Sequence, residues 1–85
     1  PRDTATLRLV AGAAPQLSPT DRRQLAHAID QKGPVTIAYI AASGAATVRT
    51  LSELDLDPPF LYAWCHLRDD ERVFALTRIQ HTLPG

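Results

Sequence analysis

One cysteine, no methionine, one tryptophan and four glycines are all that this 85-residue chain has of those types. A lone cysteine excludes an internal disulfide, so no staple supports so small a fold, and a reducing cytoplasm is the expected compartment. Four unclustered glycines exclude a phosphate-cradling glycine loop. Cys65 with His27, His66 and His81 lacks any zinc-ligand spacing, so no metal and no cofactor are expected. No apolar run approaches the ~20 residues that span a bilayer, and no charged-then-apolar signal opens the chain. Nine basic and nine acidic side chains cancel, which excludes strong non-specific attraction to DNA or membrane.

The charge is unevenly spread. Residues 1–33 hold five of the basic side chains (Arg2, Arg8, Arg22, Arg23, Lys32) and three acids, whereas residues 34–85 hold four arginines and six acids. A nucleic-acid site in the second part must therefore be a local arrangement. The length fits one domain. It leaves little room for a core together with a deep enclosed active site. The chain opens on Pro1 and reads as a piece of a longer protein.

Residues 1–17 read as a linker or N-terminal arm: Leu7 and Leu9 alternate as in a strand, then Ala11-Gly12-Ala13-Ala14-Pro15 loosens the pattern. Residues 18–85 read as the domain. Ser18 suits an N-cap, Pro19 the first helical position and Asp21 the positive helix end. Leu25, Ala28 and Ile29 then share one face of a helix over about 19–32, which Gly33-Pro34 ends. From Pro34 the period becomes two. Val35, Ile37 and Tyr39 form a strand, Ser43-Gly44 a turn, and residues 46–51 a return strand with Val48 facing inward. Leu54 and Leu56 alternate with Asp55 and Asp57 until Pro58-Pro59 break the ladder. Residues 60–67 and 72–77 form a further hairpin around Asp69-Asp70. One leading helix and four or five strands in hairpin succession predict a mainly β fold, a small closed or nearly closed antiparallel five-stranded barrel over about 34–80.

On strand 61–67, Leu61, Ala63, Cys65 and Leu67 share the face expected to meet the core, and Tyr62, Trp64, His66 and then Arg68 share the other. Trp64 and Tyr62 have three readings: stacking on bases, packing beneath the Leu25/Ile29 helix face, or forming a dimer interface. Arg68 and Arg72 either grip phosphates or pair with Asp69, Asp70 and Glu71 around the turn. Arg78 has no acid in the turn, and Arg49 is a second candidate near its strand end. Cys65 and His66 cannot form a nucleophile–base dyad, because strand neighbours point to opposite faces. The chain reads as non-enzymatic.

The stretch Leu61-Tyr62-Ala63-Trp64-Cys65-His66-Leu67-Arg68, with Arg72-Val73-Phe74-Ala75-Leu76-Thr77-Arg78-Ile79, resembles the WYL domain, a bacterial regulatory module. The resemblance extends through Ile37-Ala38-Tyr39, the Ser43-Gly44 turn and Arg49-Thr50-Leu51, and covers about residues 19–80. It departs at Pro59-Phe60-Leu61, where only Leu61 keeps the Trp-Tyr-Leu triad. Ala75 and Thr77 stand for a family arginine and aspartate, and Glu53 stands where a proline is common.

The resemblance implies an Sm-like small barrel at the C-terminal side of a transcription regulator or helicase-like protein. It also implies sensing of single-stranded nucleic acid or a nucleotide-like effector, and association with an upstream domain or a second copy. The expected contact residues are Arg78, Arg68, Arg72, Arg49, Tyr39, His66 and Trp64. The competing expectation is a protein-interaction or dimerisation module whose ligand site has degenerated, as Ala75 suggests.

Overall fold

The computed structural model describes residues 5–84. Two helices, α1 (Ala5–Ala13) and α2 (Pro19–Asp30), precede five strands: β1 (Val35–Ile40), β2 (Ala46–Asp57), β3 (Phe60–Cys65), β4 (Asp70–Ala75) and β5 (Ile79–Pro84). A single 3-10 turn, Leu76–Arg78, joins β4 to β5.

The expected loose arm is a correction. Residues 5–13 are helical, and Val10, Ala14 and Leu17 are buried in the same core as the sheet. The segment also carries a lock. The Gln16 side-chain amide donates to the carbonyls of Leu76 and Ile79, at 2.8 Å each, and so ties the α1–α2 loop to the 3-10 turn.

Helix α2 follows its sequence signals. The Ser18 hydroxyl accepts from the Asp21 N–H, and Leu25, Ala28 and Ile29 are buried. At the other end Lys32 and Gly33 both take positive φ, 64° and 91°. The chain then turns onto β2, where the Glu53 N–H donates to the Lys32 carbonyl and the Lys32 ammonium donates to the Leu54 carbonyl. A Cβ on Gly33 would lie 2.9 Å from the Ser52 Cα and 3.3 Å from the Leu51 oxygen, both backbone atoms. Gly33→Ala therefore combines a disfavoured φ with a clash, and should cost more than the ~1 kcal/mol of an ordinary left-handed substitution. Chemical denaturation would show it as a lower midpoint at unchanged slope.

The sheet is antiparallel, with order β4-β3-β2-β1-β5. Strand β2 runs through to Asp57, longer than the 46–51 segment expected. It bends at a bulge between Ser52 and Asp55, where Glu53 has φ 52°. Its register settles which face is which. Leu51 lies opposite Val35, Arg49 opposite Ile37 and Thr47 opposite Tyr39, so these alternate residues share the inner face. Val48 was expected inward but is 62% exposed. On β3, Leu61, Ala63 and Cys65 are buried as expected, whereas Leu67 lies in the following turn and is exposed. Both helices contribute to the core on this inner side, with Leu25 and Val10 joining Ile37, Leu51 and Leu61.

The expected barrel is not closed. Among the described residues β4 and β5 form no ladder. The curled sheet instead meets itself through side chains: the Ala75 N–H donates to the Tyr39 hydroxyl at 3.1 Å.

Candidate functional site

Tyr39, Thr47, Arg49 and Phe74 gather at one end of the inner face. The Tyr39 and Phe74 rings meet edge to face, 5.1 Å between centroids at 85°. The Arg49 guanidinium sits 5.7 Å from the Phe74 centroid, a cation–π arrangement. Its Nε donates to the Thr47 hydroxyl at 3.1 Å, and that hydroxyl donates to the Tyr39 carbonyl at 3.3 Å. One Nη of Arg49 approaches the Cys65 Sγ at 3.6 Å. Burial alone would raise the Cys65 thiol pKa. The Arg68 backbone N–H, the Arg49 side chain, the Leu67 N–H and the Arg49 charge outweigh it, so the thiol lies below its ordinary range.

The other arginines are distributed around this end. Arg78, exposed on the 3-10 turn, donates to the Ala41 carbonyl at 3.2 Å, just past the end of β1. Arg72 lies opposite Ala63, which puts it on the inner-face row of β4 with Phe74, though exposed. Arg68 lies exposed in the β3–β4 turn. Among the described residues a carboxylate meets a basic side chain only where Asp21 lies 3.6 Å from the His81 ring, and no arginine reaches a carboxylate within 4.0 Å. The pairing of Arg68 and Arg72 with Asp69, Asp70 and Glu71 is thus absent.

Trp64 and His66 do not join the cluster. Trp64 is half-buried on the outer face, opposite Ser52 and Glu71 and outside the core. It cannot pack beneath α2, because the helices cover the other side. The His66 Nε2 contacts the Ser52 hydroxyl at 2.8 Å on an exposed surface. Among the described residues nothing orients the other ring nitrogen, so the contact lacks the third member a catalytic constellation needs. Cys65 is buried while His66 is exposed, as strand alternation requires. No group of three or more His, Cys, Asp or Glu side chains is placed to hold a metal ion among the described residues. Likewise, no described helix is long and apolar enough to cross a membrane.

Phe74 and Thr47 complete the site but were not singled out from sequence. Counting back in pairs through the hairpin would have found Thr47 opposite Tyr39, since residues 41–45 form the loop and Ile40 faces Ala46. Phe74 gave no chemical signal, because an inward phenylalanine is normally plain core.

The molecule is a helix-capped antiparallel sheet with a cation–aromatic cluster at one end. Residues 22–83 match the WYL domain, and the chain belongs to that family. Such domains are generally regulatory ligand-sensing modules in bacterial regulators. No curated protein matches the chain.

Proposed function

We propose that this domain senses a phosphate-bearing effector, single-stranded nucleic acid or a nucleotide, at the Tyr39/Arg49/Phe74 end of the inner face. It would act in the cytoplasm within a bacterial transcription regulator or helicase-like protein. The supporting observation is Arg49: a half-buried guanidinium on an aromatic ring, with no carboxylate to neutralise it among the described residues. Such a group favours an anion with a planar ring beside it. Arg78, Arg72 and Arg68 add charge around the rim. The curled five-stranded sheet is read as an open relative of the Sm-like barrel, with the β4–β5 seam at this end.

The test is titration of a labelled single-stranded oligonucleotide, and separately of a labelled nucleotide, across a salt series. Binding should weaken steadily as salt rises, with log K falling by about 0.7 per phosphate contact for each tenfold rise in salt for a single strand. An Arg68→Ala/Arg78→Ala double variant should flatten that slope. Binding with no salt dependence, or a slope unchanged in the double variant, would remove the rim arginines from the reading.

A further inference from the structure

The opposite face of the sheet carries a different surface. Phe60, Tyr62 and Trp64 alternate along β3 and share the outer face, so three aromatic side chains form one row spanning roughly 13 Å. Phe60 is 44% and Tyr62 39% exposed, and Val73, directly opposite Tyr62 on β4, is 52% exposed. Neither helix covers this side. A row of exposed large apolar side chains is costly in water and uncommon unless something covers it.

The charges paired directly across from the row are of one sign. Asp57 lies opposite Phe60, Asp55 opposite Tyr62 and Glu71 opposite Trp64. All three are exposed, and their carboxylates have no hydrogen-bond or ion-pair partner among the described residues. The arginines of this half lie elsewhere: Arg49 and Arg72 on the inner face, Arg68 and Arg78 in turns.

That pattern selects an occupant. A phosphate backbone would meet three carboxylates. A second copy meeting face to face would set acids against acids, which costs rather than stabilises. An extended peptide with alternating cationic and apolar residues fits both features. Its guanidinium or ammonium groups would pair with the carboxylates and lie over the aromatic faces, while its apolar residues cover Val73 and Tyr62.

We propose that the outer face of β2–β3–β4 is a docking surface for an extended arginine- or lysine-bearing segment of a partner protein. This surface is separate from the anion site, and the two carry opposite charge on opposite faces of one sheet.

Trp64 is the only tryptophan and reports directly on the row. The probes are a synthetic peptide of alternating arginine and valine and its counterpart with glutamate for arginine. The arginine peptide should change Trp64 emission saturably, less tightly as salt rises, and the glutamate peptide should not. Asp55→Lys/Glu71→Lys should weaken the arginine peptide at least tenfold. Tyr62→Ser, an exposed change, should weaken it without charge reversal. Circular dichroism would confirm that both variants keep the fold. Equal response to both peptides, or unchanged affinity in both variants, overturns the proposal. So does a Trp64 response to single-stranded DNA stronger than to the arginine peptide. Sedimentation showing a dimer that Tyr62→Ser converts to monomer would assign the face to a second copy instead.

Discussion

Arg49→Ala should weaken binding of a labelled single strand or nucleotide by about 10- to 100-fold, the ~1.5–3 kcal/mol of a charge-assisted contact. Arg49 is the residue for which chemistry and position coincide. Its guanidinium is held from three sides, by the Thr47 hydroxyl, the Cys65 sulfur and the Phe74 ring, so little ordering is left to occur on binding. Arg49→Lys should restore charge but not the planar fork, and so recover only part of the affinity.

The same variant has a second readout that does not depend on any ligand. Burial raises the Cys65 thiol, and Arg49 is one of the groups that bring it below its ordinary range. Without the guanidinium, burial weighs more heavily and the thiol should titrate at higher pH. Thiolate absorbance reports Cys65 alone, since the chain has one cysteine. The sign for stability follows. A thiol lowered by folding contributes stability that is complete above its unfolded pKa and is lost as pH falls through the folded value. Arg49→Ala should shrink that alkaline-side gain. A variant with unaltered thiol titration would mean that Arg49 does not sit against Cys65 in solution.

Leu25→Ala should cost about 2–5 kcal/mol, read from denaturant unfolding at unchanged slope. Leu25 is fully buried in the one core that also holds Ile37, Leu51 and Leu61. Typical domain stabilities are only ~5–15 kcal/mol, and no disulfide supports this chain, so the variant should be partly unfolded near body temperature. Leu83→Ala is the control. That side chain is half-exposed on β5, and its removal should stay within about 0.5 kcal/mol. A mild effect at Leu25 would mean that α2 is less firmly seated than its burial indicates.

Helix α2, the two hairpins and the Leu61/Ala63/Cys65 core row were legible because each had a local physical signature: a cap, a turn residue, or strict alternation. The misses share a different cause. Val48 looked inward because it is apolar, yet β1–β2 pairing fixes the face by parity, and parity turned Arg49 inward. Helix α1 was hidden because Gly12 and the alanines read as loosening. Leu7, Val10, Ala14 and Leu17 nonetheless fall at helical spacing, and the last three are buried. The grouping of Trp64 and His66 with the arginines failed for a topological reason. Alternation showed that they share a face with each other, but only the curl of the whole sheet shows which face encloses Arg49. Phe60 belongs to the same outer row, and counting in twos from Tyr62 would have included it.

Among the described residues the open seam between β4 and β5 leaves this small sheet with two free edges instead of none, and free edges invite pairing between molecules. The chain guards both against aggregation. Edge strand β4 begins with Asp70-Glu71-Arg72 and gives up its last amide, that of Ala75, to Tyr39 before the backbone coils away at Leu76. Edge strand β5 carries Gln80 and His81 and ends at Pro84, a residue with no N–H to donate. An unclosed sheet can in this way avoid pairing edge to edge with its own copies.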